Sequence, residues 1–272
     1  MPTLGHHPMI PQKNYVRQRT SQRKRNASVS TERPASRSGF TLVELMIVIA
    51  IIAIIGAVGI PSLLRSRAVA NEGAMIGSLR TVAPFEAVFR QQAEVDQNAN
   101  GTGEFGLLGE LSSDLCLRPN TSRMAQPVYV SQQFRTGGNA GNGTASKSGY
   151  CYKIYFSNAA ANDTATGSDN DLGGSPTMGG PSVDPLAISR QEQNYALYAW
   201  PMENRRTAYR CFFVNEQSEV CFSKMEVTTY DGLLSVPADK AAYLNGTDVF
   251  RGRIAAGATV GNDSNHWFPA GG

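Results

Sequence analysis

Glu44 occupies the most unusual chemical setting in the chain. It is the only charged residue between Phe40 and Leu64, a run of 25 residues. A carboxylate placed in hydrocarbon costs about 2.5–3.5 kcal/mol on insertion scales, so an acid inside such a run marks a function and needs a partner. Directly ahead of the run stands a small-residue junction, Ser38-Gly39. A cleavage on the cytoplasmic side could fall at this junction, and the new amine would give the Glu44 of an adjacent copy a partner that removes much of the burial penalty on both groups.

Other reactive side chains are few. The four cysteines are Cys116, Cys151, Cys211 and Cys221, with spacings of 35, 60 and 10 and no C-x-x-C. That pattern does not read as a zinc framework. An even number fits two disulfides in an oxidising compartment, the alternative being four buried thiols. The expected pairs are Cys116–Cys151 and Cys211–Cys221. A three-residue loop at Asn215–Gln217 sets Cys211 opposite Cys221, whereas a two-residue loop turns them to opposite faces. His266 is the single histidine beyond residue 39, so a Ser-His-Asp or Cys-His centre has one residue to draw on and a His-rich zinc site is excluded. Asp163, Asp169 and Asp171, with Asn170 and Asp184, could supply hard oxygen ligands to calcium, but their spacing fits no EF-hand and a solvated loop is the expectation. Gly101-Thr-Gly-Glu-Phe-Gly106 matches G-x-G-x-x-G in form only, because a polar turn rather than a strand precedes it. No cofactor is expected.

Several elements must position these groups. Leu45–Ile60 reads LMIVIAIIAIIGAVGI, sixteen residues without a polar side chain, and with its flanks it is long enough to span a bilayer as a helix. It is too long for a secretory h-region, and no A-x-A cleavage site follows it. Residues 1–39 hold eight Lys/Arg against one acid, a charge of +7, which leaves −4 on residues 40–272 of a chain with net charge +3. By the positive-inside rule the basic arm stays in the cytoplasm and the body is exported. The mildly acidic body argues against a nucleic-acid interface.

The stretch Arg37-Ser-Gly-Phe-Thr-Leu-Val-Glu44 with the apolar run behind it resembles the prepilin signal of type IV pilins and type II secretion pseudopilins. The resemblance covers about 30 residues. It implies cleavage by a prepilin peptidase between Gly39 and Phe40, N-methylation of Phe40, and assembly through Phe40, Glu44 and the helix-weakening Pro61. The leader of 39 residues is longer than is usual for that family. Some pseudopilins also use calcium in the globular domain.

The expected fold is α+β. Residues 1–39 form a cleaved basic leader, 40–64 a transmembrane and assembly helix, 65–96 an amphipathic helix packing on the head, and 97–272 a globular head with a loop-rich tail. In the amphipathic part Val69, Met75, Ile76, Leu79, Val82, Ala83, Phe85 and Phe89 are expected inward, Glu72 and Glu86 outward, with a bend or break at Pro84. Strands are expected at 127–134, 150–156, 196–200, 208–214 and 220–222, making an antiparallel sheet. The function implied is a structural subunit of a type IV pilus or secretion pseudopilus. Its partners would be other copies of itself, the prepilin peptidase and an inner-membrane assembly platform, and it would move from the inner membrane, head in the periplasm, to the filament. A minor pilin that binds a ligand, or an exported enzyme on a membrane anchor, are the alternatives. The absence of a nucleophile beside a base speaks against the enzyme.

Overall fold

A computed structural model describes residues 39–118, 122–134, 143–157, 165–166, 185–244 and 252–271. The leader, and the candidate calcium residues Asp163, Asp169 and Asp171, lie outside the described residues, Gly39 excepted. The chain divides into two units, one ending at Ala50 and one running from Ile51 to Gly272.

Helix α1, Leu42–Gln91, belongs to both units and is unbroken through Pro61 and Pro84. A proline inside a helix removes one hydrogen bond and crowds the preceding turn. At Pro84 the neighbours Val82, Ala83, Glu86 and Phe89 are all buried, so packing holds the turn that the proline weakens. The helix stops at Gln91, five residues before the expected end, where Ala93 takes a left-handed φ of 48° and returns its N–H to the Arg90 carbonyl.

Its buried stripe is Ala68, Glu72, Met75, Leu79, Val82, Glu86 and Phe89, a run of alternating three- and four-residue steps. Val69 and Phe85 are exposed instead, and two acids expected outside face in. The head makes that possible by offering backbone donors. Glu72 accepts the Tyr209 N–H at 3.1 Å and sits 3.6 Å from Arg210, and Glu86 accepts the Gly106 N–H at 2.9 Å.

The second unit is built on an antiparallel sheet. Its strands are β1 (Ala145–Lys147), β2 (Tyr150–Ser157), β3 (Ala165–Thr166), β4 (Tyr195–Pro201), β5 (Cys211–Asn215), β6 (Cys221–Ser223) and β7 (Trp267–Pro269). The order is β1-β2-β4-β5-β6-β7, with β3 on the far end of β2. Two short helices, α2 (Leu108–Leu111) and α3 (Pro185–Gln191), complete it. The α+β architecture with an antiparallel sheet is as expected. Residues 127–134 are not a strand: only Gln132–Phe134 is regular, as a 3-10 turn, while β1, β7 and α3 were not expected.

Alternation along the strands divides two cores. Tyr150, Tyr152, Ile154, Leu197, Ala199, Phe212 and Val214 pack with Met75, Leu79, Val82 and Phe89 of α1. Cys151, Tyr198, Trp200, Cys211, Phe213 and Cys221 face the other way and are covered by the C-terminal segment through Tyr230, Tyr243, Ala255 and Trp267. With both faces covered, β4 and β5 are buried at every position, which is why they read as continuous apolar runs rather than as an alternating pattern.

Candidate assembly site

Gly39 and Phe40 precede the helix in non-helical, exposed backbone, and nothing lies within 4 Å of the place a Cβ on Gly39 would occupy. Among the described residues nothing crowds the junction. The helix then opens on a reciprocal cap. The N–H and the hydroxyl of Thr41 each donate to Glu44 Oε2 at 3.1 Å, and the Glu44 N–H donates to Thr41 Oγ1 at 3.1 Å. This is the T-x-x-E capping box, with the acid also favoured by the partial positive charge of a helix N-terminus. Glu44 thus has a local partner as well as the intermolecular one expected from sequence. The T-x-x-E pattern just ahead of an apolar run was the available signal.

From Phe40 to Leu64 the large apolar side chains are exposed on all sides of α1, and no residue in the most apolar window, of mean hydropathy 2.8, is buried. The helix is long and apolar enough to cross a membrane. Pro61 lies inside it and cannot donate to the Ala57 carbonyl, so this turn holds one hydrogen bond fewer than its neighbours.

Within the second unit, buried charges fasten the elements to each other. The Arg118 Nε–H donates to both Glu110 oxygens at 2.9 and 3.2 Å, and its terminal nitrogens donate to Gln191 Oε1 at 2.9 Å and to the Phe105 carbonyl at 2.6 Å. Glu110 also accepts the backbone N–H groups of Leu107 and Arg118. One ion pair, fully buried, therefore joins α2, the 105–107 segment, residue 118 and the end of α3. Glu86 of α1 lies nearby with Oε1 buried and unpaired. Burial pushes its carboxyl well above the usual value of 4.5, with the Gly106 N–H and Arg118 opposing and Glu110 adding to the rise.

A carboxyl raised in the folded state contributes stability fully below its unfolded value of 4.5 and loses it as pH rises through the folded value. Glu86→Gln keeps an oxygen for the Gly106 N–H but has no proton to lose. Melting temperatures measured from pH 4.5 upward should show wild type falling relative to the variant as pH rises. Parallel curves would mean that Glu86 does not titrate on folding.

The structure does not show the expected disulfides: Cys116, Cys151, Cys211 and Cys221 are not bonded to one another. The β5–β6 register sets Cys211 opposite Ser223 and Cys221 opposite Phe213, so the turn at Asn215–Ser218 does not bring the two sulfurs face to face. Cys151 lies on the sheet face covered by the C-terminal segment, whereas Leu111 and Leu117, which flank Cys116 in sequence, pack on the α1 face. Burial raises the thiols of Cys151 and Cys221 to about 11. Alkylation of native protein followed by peptide mapping should label Cys116 first, with the other three reacting only after unfolding. Early labelling of Cys211 would contradict the buried register.

The G-x-G-x-x-G match has no strand before it, and its glycines answer a packing need instead. A Cβ at Gly103 would stand 2.4 Å from the Arg90 carbonyl oxygen, at the end of α1.

The architecture is a capped N-terminal helix, apolar apart from Glu44 up to Leu64, whose later turns pack on an antiparallel sheet. The chain's N-terminal segment, residues 34–60, matches the prokaryotic N-terminal methylation motif. Over 70 residues the chain is 40% identical to the major component of the type IV wide pilus of Thermus thermophilus, a stretch that covers 26% of this chain and 50% of that protein. The chain thus spans about half the length of the relative it matches. No solved structure matches it. Motif and relative together show that the N-terminal part of the chain is similar to that of a type IV pilin.

Proposed function

We propose that the protein is a filament subunit of a type IV pilus or a secretion pseudopilus. A prepilin peptidase cuts it between Gly39 and Phe40 and the new Phe40 amine is methylated. It waits in the inner membrane with its head exported, and an assembly platform adds it to the filament through Phe40, Glu44 and the helix around Pro61. The observation that carries this reading is the open Gly39–Phe40 junction set one residue before a helix whose first 20 or so residues are exposed, apolar and interrupted only by a capped acid. An apolar cylinder of that length is satisfied by lipid before assembly and by the same cylinders of neighbouring copies afterwards.

Intact mass spectrometry of the protein extracted from membranes tests the reading. The expected species has lost 39 residues and gained one methyl group. A full-length chain in sheared filaments, or a mature chain beginning anywhere other than Phe40, would overturn it.

A further inference from the structure

We propose that the end of the head nearest the apolar helix docks on anionic phospholipid headgroups. A phosphate seats in the cleft between Arg205, Arg210 and Lys224, and Leu233 and Leu234 enter the bilayer interface beside it. The proposal rests on the reading of α1 as a membrane-spanning helix and goes beyond it, because it gives the head its own contact with lipid.

Contacts with α1 fix where this surface lies. The later part of the apolar run, Ile51–Leu64, belongs to the same unit as the head, and the buried stripe of α1 begins just beyond it, at Ala68. The loop between β4 and β5 grips the first turns of that stripe. The Asn71 amide donates to the Thr207 carbonyl at 2.8 Å, the Tyr209 N–H donates to Glu72 at 3.1 Å, and Arg210 lies 3.6 Å from Glu72. Strand pairing brings two more segments to the same end. Strand β5 starts there at Cys211, and antiparallel β6 finishes opposite it at Ser223, so Lys224 emerges beside Arg210. The turn at 231–235 is tied to the end of β4. Its Gly232 N–H donates to the Pro201 carbonyl at 3.0 Å, and Asp231 accepts the Asn204 N–H at 3.0 Å. At 1.5 Å per residue Asn71 stands about 10 Å along the helix from Leu64. The headgroup layer extends on the order of 5–7 Å beyond the hydrocarbon, so a lysine or arginine on these loops spans the remainder.

Charge at this end runs against that of the rest. Residues 40–272 sum to −4, yet Arg65, Arg67, Arg205, Arg206, Arg210 and Lys224 are all exposed here. Arg205, Arg210 and Lys224 converge with Asn204, Tyr209 and Thr229 on a cleft of about 290 Å³, whose described lining holds no acid. The acids nearby are mostly engaged. Glu72 is held by Tyr209 and Arg210, Glu203 pairs with Arg206, and Asp231 takes the Asn204 N–H, while Glu226 is exposed. Arg65, Arg67, Arg205 and Lys224 form no ion pair among the described residues. Cations converging on one cleft suit a phosphate, whose oxygens accept several charge-assisted hydrogen bonds at once. A cluster of Lys and Arg immediately beside a membrane span is what holds anionic lipid at a protein surface.

Apolar side chains complete the surface. Leu234 is wholly exposed on its turn, Leu233 is exposed beside it, and Met202 and Tyr209 are exposed on the β4–β5 loop. Apolar knobs set among basic residues are how a protein lies against an anionic bilayer. The span holds this surface at the bilayer for as long as the chain is in the membrane, so lipid meets it at a high effective concentration. Entry into a filament must break the contact, and the docked head therefore resists extraction.

Reconstitution of the full chain into vesicles tests the proposal, with phosphatidylglycerol mixed into phosphatidylcholine as the anionic probe and phosphatidylcholine alone as the neutral one. Leu234→Cys in a Cys116→Ser chain carries an environment-sensitive dye, the other three thiols being buried. In anionic vesicles the emission should move to the blue, and quenching by acrylamide should fall at least about twofold relative to neutral vesicles. At about 1 M salt, where the Debye length is about 3 Å, that difference should vanish. The same dye on Thr102→Cys, beyond the far end of α1, should show no difference between the vesicles. Arg205→Gln with Lys224→Gln removes two exposed, unpaired cations and should melt with wild type. Docking should weaken about fivefold for each charge lost, returning the Leu234 signal to its neutral-vesicle value. The basic leader is unchanged in this variant, so its own attraction to lipid does not account for the loss.

Equal signals from the two vesicles overturn the proposal. So does a double variant that responds as wild type does. Protection at Leu234 that tracks the protein-to-lipid ratio rather than phosphatidylglycerol content also overturns it, and marks a second copy as the occupant. A chain that fails to float with either vesicle overturns the membrane reading and the docking with it.

Discussion

A Glu44→Ala chain is expected to be cleaved, to remain in the membrane, and to be missing from filaments. Removing an acid makes the helix more apolar, so insertion is unharmed. The Gly39–Phe40 junction is untouched and remains open, so cleavage proceeds. What is lost is the counter-charge for the Phe40 amine of the next subunit. Leaving one member of a buried pair alone costs roughly 3–5 kcal/mol. That cost recurs at every subunit added, so elongation stops rather than slows. The capping box adds a second consequence. Alanine also removes the acceptor for the Thr41 N–H and hydroxyl and loosens the first helical turn. Glu44→Gln separates the two effects, because Gln at the third helical position still closes a capping box but carries no charge. Both variants should be absent when sheared surface material is blotted beside membranes. Wild-type amounts of the Gln variant in filaments would show that charge is not the assembly contact.

The exposed apolar helix and the acid inside it were legible because their determinants are local, whereas the cap was not read. Junction, acid, apolar run and proline all lie between Ser38 and Pro61, and the cap needs only residues 41 and 44. The strong strands were legible for a similar reason. Residues 150–157 and 195–201 are dense in aromatic and apolar side chains, a composition that suits a pleated, buried surface.

The rest depended on partners that sequence order does not reveal. The α1 stripe was placed partly on Val69 and Phe85 because Glu72 and Glu86 are charged. Those acids face inward only because Tyr209 and Gly106, from elsewhere in the second unit, present N–H groups to them. Three-residue strands such as β1 and β7 carry no periodicity of their own and exist through pairing with β2 and β6. The structure sets Cys211 opposite Ser223 rather than Cys221, a register two residues away that keeps both thiols on one sheet face without pairing them, and the position of the turn decides this.

The largest single loss of stability is expected from Arg118→Met. Methionine covers the apolar length of the arginine side chain, so little packing is lost in the trade. The charge it leaves behind is the difficulty. Glu110 is 0% exposed and would keep two backbone N–H groups but no counter-ion. Gln191 and the Phe105 carbonyl lose their donors at the same time. Removing one partner of a buried pair costs about 3–5 kcal/mol, a large part of the roughly 5–15 kcal/mol that holds a domain folded. The check is urea unfolding of the full chain in detergent, followed by near-ultraviolet circular dichroism from the buried Tyr and Trp residues. The midpoint should fall sharply with little change in slope. Adding Glu110→Gln to Arg118→Met removes the orphaned charge while keeping an acceptor for the backbone, and should restore much of the loss. That recovery distinguishes an electrostatic cause from a packing one, because a cavity left by the lost guanidinium would persist in the double variant. A single-variant loss below about 1 kcal/mol, the range of exposed pairs, would show that water reaches this ion pair and that it does not anchor α2 to α3.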